Sequence, residues 1–62
     1  MSFAQKLKYH RRRNRLYTYE LANLAGLSPS VVSKLQTGAY QPTDDHITRL
    51  ASALGIPREV LA

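Results

Sequence analysis

A chain of 62 residues makes one domain at the lower limit of what a single hydrophobic core can hold, with little surface left for an elaborate active site. The absence of cysteine excludes disulfide staples, zinc-thiolate sites and thiol catalysis, and suits a reducing cytoplasm; no apolar run approaches the roughly 20 residues that span a membrane, and residues 1 to 15 are too polar for a signal peptide. The net charge of +5 is segregated, because residues 1 to 40 hold seven basic groups against Glu20 alone, whereas Arg49 and Arg58 face Asp44, Asp45 and Glu59 in the remainder.

Ser2 followed by Gln5 is a capping-box pattern, and Phe3, Leu7 and His10 recur at helical spacing, which predicts a first helix over about residues 3 to 14. Leu21, Ala22, Leu24 and Ala25 give a short apolar face that stops at Gly26, a left-handed cap, so a second helix is expected over about 18 to 25. Ser28 then Pro29 is a strong helix start, with Val32 and Leu35 as the buried side of a third helix over about 29 to 36. Thr43 caps a fourth helix whose first turn carries Asp44 and Asp45, well placed against the macrodipole, with Ile47, Leu50, Ala51 and Leu54 facing inward. Gly55 ends it, and Pro57 opens a last helical turn that returns Val60 and Leu61 to the core. The expected fold is all-α: a single compact five-helix domain over residues 1 to 62, with short loops and no strand or repeat.

The second and third helices, joined by the tight Gly26-Leu27-Ser28 turn, meet the requirements of a helix-turn-helix: Ala22 is small enough for close approach and Val32 packs beneath. A segregated positive field attracts polyanions, nucleic acid before anionic membrane, without adding sequence specificity.

These residues resemble the phage repressor and Cro-like (XRE-type) helix-turn-helix regulators over nearly the whole chain. The resemblance rests on Leu7 and Arg11, on Leu16 to Ala22, on Ala25-Gly26-Leu27-Ser28, on Val32-Ser33-Lys34-Leu35, on Gly38 and Pro42, and on Leu50 to Ile56. It implies a lambda-repressor-like domain that binds double-stranded DNA in a sequence-specific way as a transcriptional repressor, with the third helix in the major groove. By that resemblance, base edges are met by Pro29, Ser30, Ser33 and Lys34: Lys34 donates to guanine, the serines donate or accept, and Pro29 offers apolar contact only. Phosphates fall to Tyr17, Thr18, Thr37, Gly38 and Tyr40, with Arg11, Arg12 and Arg15 beside them. Pairing of two copies on a pseudo-palindromic operator is expected, with Ile56, Val60 and Leu61 at the contact.

Three positions depart from the family pattern. Thr18 stands where glutamine is usual and shortens the reach to phosphate. Tyr17 occupies the Ser/Thr cap position of the second helix, which weakens that cap by about 1 kcal/mol unless Thr18 caps instead. Gln36 replaces a glutamate that pairs with the helix 1 arginine, so Arg11 makes a neutral hydrogen bond or is released to phosphate.

Simpler readings compete with each functional one. Cations at a helix C-terminus are mildly stabilising, but Arg11, Arg12, Arg13 and Arg15 exceed what a helix end requires. His10 and His46 lie far apart with no acidic partner near His10, so neither a metal nor a catalytic pair is expected. Ser30 and Lys34 at i and i+4 share an exposed face and imply no nucleophile; the four tyrosines are dispersed and form no base-stacking platform. The chain is therefore read as a binding protein without cofactor, not an enzyme. A protein-interaction module such as an antitoxin, built on the same fold, is the alternative, and a membrane-surface helix over residues 3 to 15 has too little apolar anchor.

Overall fold

A computed structural model describes all 62 residues and contains five helices: α1 (Phe3–Arg13), α2 (Thr18–Ala25), α3 (Pro29–Thr37), α4 (Asp44–Leu54) and α5 (Arg58–Leu61). The domain measures 23 × 21 × 19 Å, and no helix is long and apolar enough to cross a membrane. α2 packs on α3 and α4, α1 on α3 and α5, and α5 folds back on α4.

The helix starts follow the expected chemistry. Ser2 Oγ accepts from the Gln5 N–H at 3.2 Å while Gln5 Oε1 accepts from the Ser2 N–H at 2.9 Å. Ser28 Oγ accepts from the Val31 N–H at 3.2 Å, with Pro29 at the first helical position. At α4 the reciprocal partner is a histidine: Thr43 Oγ1 accepts from the His46 N–H at 3.1 Å, and His46 Nδ1 accepts from the Thr43 N–H at 3.2 Å. Tyr17 caps α2 with no side-chain bond; its own N–H donates to the Glu20 carboxylate at 2.8 Å, so only half of a capping box forms.

The helix ends share one device. After α1, α2 and α4 the chain turns through a left-handed residue and closes with hydrogen bonds from the Leu16 N–H to Arg11 O, Leu27 to Ala22 and Ile56 to Ala51. Gly26 and Gly55 occupy that position after α2 and α4, but after α1 it is held by Arg15 at φ 55°, a conformation that costs a non-glycine residue about 1 kcal/mol. α1 accordingly ends at Arg13, one residue short of the expected boundary, while α3 runs one further to Thr37.

Gly26 at φ 71° is the pivot of the helix-turn-helix, and a Cβ there would stand 2.9 Å from Arg49 Nη1. Arg49 bridges from α4 to this corner, with its Nε 2.8 Å from Asp45 Oδ2 and Nη1 donating to the Ala25 carbonyl at 3.5 Å. Because a flexible guanidinium can swing away, the cost of Gly26→Ala lies mainly in the backbone. It should amount to about 1–2 kcal/mol and lower the thermal midpoint by roughly 4–8 °C per kcal/mol, measured by circular dichroism.

The core consists of Leu7, Leu21, Ala22, Ala25, Val32, Leu35, Leu50, Ala51, Leu54 and Leu61. Ile47 packs half-buried against it, and two other expected inward positions are exposed. Leu24 is 62% exposed, because at about 100° per residue it falls at the edge of the buried face of α2, beside Leu21 but roughly 160° round from Ala22. Val60 is 40% exposed, since the single turn of α5 can direct only Leu61 inward. Arg58 fixes that turn, donating through Nη1 to Thr48 Oγ1 at 2.6 Å and to the Asp44 carbonyl at 3.2 Å, and pairing through Nη2 with Asp44 Oδ1 at 2.9 Å.

Candidate nucleic-acid interface

α3 divides its residues cleanly. Val32, Leu35 and Gln36 are buried against the other helices, and Pro29, Ser30, Ser33, Lys34 and Thr37 are exposed. The polar residues Ser30, Ser33, Lys34 and Thr37 recur at three- and four-residue spacing and therefore form one outward row. The N-cap bond of Ser28 and the Gly26 turn set the angle at which α2 delivers this row.

Lys34 is held in the C-terminal half of the row. Its Nζ lies 4.9 Å from the Tyr40 ring centroid and donates to the Tyr40 hydroxyl at 3.3 Å, so a base-contact candidate and a phosphate-contact candidate form one unit. Thr37 Oγ1 donates to the Lys34 carbonyl at 3.2 Å, and Gly38 follows at φ 82° with open space around its Cα. Thr37, the last residue of α3, and Gly38 and Tyr40 after it thus occupy one exposed segment.

At the start of α2, Tyr17 and Tyr19 are both exposed, with their rings nearly parallel (8°) and their centroids 5.9 Å apart. Sequence reasoning gave Tyr19 no place in the site. The signal available was its helical position, which is turned away from Leu21 and Ala25. Thr18 behaves differently from its neighbours: it is half-buried, and its Oγ1 accepts a hydrogen bond from Gln36 Nε2 at 3.0 Å.

That bond belongs to a network spanning three helices. Gln36 Oε1 accepts from Arg11 Nε at 2.8 Å, and Arg11 Nη1 donates to the Leu16 carbonyl at 2.6 Å. Of the two outcomes expected for Arg11, the neutral hydrogen bond is the one formed, and the arginine ties α1 to α3 and to the turn before α2. Every buried side-chain polar atom has a partner. Arg12 and Arg15 are exposed.

The electrostatics of this side follow from pairing. The two ion pairs, Arg49 with Asp45 and Arg58 with Asp44, both use cations of the C-terminal third, so the basic groups of residues 1 to 40 keep their positive field. Among the residues expected at a contact between copies, Val60 is exposed and Ile56 half-buried against the core. Leu61 has no exposed surface and contributes to the core instead.

An exposed polar row on the second helix of a tight helix pair, flanked by aromatic and hydroxyl side chains in a positive field, is an arrangement suited to a polyanionic duplex. The helix-turn-helix domain model matches residues 2–62. No curated protein matches the sequence. With nearly the whole chain aligned, and with five helices assembled around the α2–α3 turn, the chain belongs to the helix-turn-helix domain family, whose members bind DNA.

Proposed function

We propose that this domain is a sequence-specific double-stranded DNA-binding transcriptional repressor of the phage repressor and Cro-like type. The observation that carries the reading is the outward row of α3: burial of Val32 and Leu35 leaves Ser30, Ser33 and Lys34 as a polar ridge that a major groove can accept. Pro29 adds an apolar contact at the start of the ridge. In this reading Tyr17, Thr37, Gly38 and Tyr40 grip phosphates. Arg15, exposed and in a left-handed backbone conformation, contacts the same phosphates in this reading. Arg12 adds long-range attraction. Thr18 and Arg11 act chiefly through Gln36, by fixing α3 against α1 and α2.

A single module of this size binds weakly, so two copies on a pseudo-palindromic operator are part of the proposal, with Val60 and Ile56 as the contact. Selection from a randomised duplex pool should enrich a two-fold motif. Lys34→Ala should lose discrimination at one guanine position, at a cost of about 1–3 kcal/mol, and affinity should fall steeply with salt. Uniform binding that salt abolishes, with no enriched motif, would overturn the proposal and favour a protein-interaction module on the same fold.

A further inference from the structure

α1 has an outer face of which the DNA-binding reading uses only Arg12, for long-range attraction. The helix carries Lys6, Lys8, Arg11, Arg12 and Arg13 and no Asp or Glu, and none of these cations forms an ion pair. At about 100° per residue, Gln5, Lys8, Tyr9, Arg12 and Arg13 spread over the side opposite Leu7, which is fully buried. Arg11, the residue bonded to α3, lies toward the Leu7 side. The outer face of α1 therefore points away from the helix that carries the proposed base-reading row.

Those five residues enclose an open concavity of about 380 Å³ whose wall is mostly carbon. Tyr9 is 45% exposed, and Arg13 lies 5.7 Å from its ring centroid while donating to its hydroxyl at 3.3 Å. Lys8 and Arg12 sit at i and i+4, a like-charge spacing that an isolated helix disfavours and a bound anion relieves.

We infer that the outer face of α1 docks an acidic segment of a partner protein that also carries an aromatic or aliphatic side chain. Charge complementarity selects the carboxylates, which meet Lys8, Arg12 and Arg13. The carbon wall and the Tyr9 ring select the apolar side chain. A nucleic-acid backbone offers phosphate oxygens and sugar edges to that wall but no aromatic or branched side chain to fill it. Gln5 Oε1 accepts from the Ser2 N–H, which leaves Nε2 to donate to a peptide carbonyl at the rim.

The test uses the whole chain labelled with ¹⁵N, a short peptide alternating glutamate with phenylalanine, the same peptide with serine for phenylalanine, and a mixed-sequence duplex. The phenylalanine peptide should shift the amides of Gln5, Lys8, Tyr9, Arg12 and Arg13 saturably and leave Ser30, Ser33 and Lys34 unmoved. Its serine counterpart should bind several-fold more weakly. The double variant Lys8→Gln, Tyr9→Ala, altered outside the hydrophobic core, should weaken the phenylalanine peptide about tenfold and duplex binding by less than about threefold. Adding duplex should shift α3 amides with the peptide still bound. Absence of a saturable shift, equal binding of the serine peptide, peptide shifts centred on α3, or displacement of the peptide by duplex would each overturn the inference.

Discussion

Truncation of Leu35 to alanine should leave the domain largely unfolded at room temperature. Leu35 is fully buried on α3, the helix that packs against both α1 and α2, and no neighbouring element can close over the missing atoms without moving the helix-turn-helix. Removing a buried leucine side chain costs about 2–5 kcal/mol, against the roughly 3–5 kcal/mol that a single core of this size supplies without disulfide or metal. The far-ultraviolet circular dichroism of Leu35→Ala should therefore resemble the urea-denatured parent. Leu24→Ala, on an exposed leucine of α2, should change stability by no more than about 0.5 kcal/mol. A cooperative urea transition for Leu35→Ala close to that of the parent would contradict the core as described.

The second large effect is expected at Gln36. Its carboxamide is 7% exposed and satisfies both Arg11 Nε and Thr18 Oγ1, joining α1, α2 and α3 through one side chain. Gln36→Leu preserves approximate volume but leaves a guanidinium donor without its acceptor, and hydrogen bonds to charged groups contribute about 1.5–3 kcal/mol. A loss of that size should appear as a lower urea midpoint at unchanged slope. Gln36→Glu, by contrast, should stay within about 1 kcal/mol of the parent, because a carboxylate still accepts from Arg11 and the Thr18 hydroxyl can reverse to donate. If leucine and glutamate are tolerated equally, the network contributes nothing to holding α3. If only leucine fails, packing of α3 depends on an acceptor at this position, and duplex binding should fall with it.

The existence and order of the elements were legible because each boundary has local causes. Ser2, Ser28 and Thr43 cap the helices they precede, and Gly26 and Gly55 take up the left-handed turns that end them. Each depends on side-chain and backbone chemistry within a few residues. The end of α1 falls one residue before the expected boundary for the complementary reason: Arg15 gives no local sign of a left-handed turn, and the conformation is held by the closing bond from Leu16 to Arg11.

The burial pattern was legible where an amphipathic face is broad and failed where a helix is short. Over the 11 residues of α4, Leu50, Ala51 and Leu54 fell inward as expected. On the eight residues of α2 and the four of α5, one residue of angular error exposes a side chain, as for Leu24 and Val60.

By itself the sequence determined five helices, their caps, the turn between α2 and α3, and the segregation of positive charge, all of which arise from nearest neighbours or from composition. Tertiary structure alone decided which polar side chains meet: Lys34 over Tyr40, Gln36 between Arg11 and Thr18, and Arg58 against Asp44 and Thr48. Such pairings join residues 6 to 25 positions apart, and the packing of helices sets their distances. Helical periodicity fixes the direction of a side chain around its own axis, but what stands opposite it depends on how the core draws the helices together.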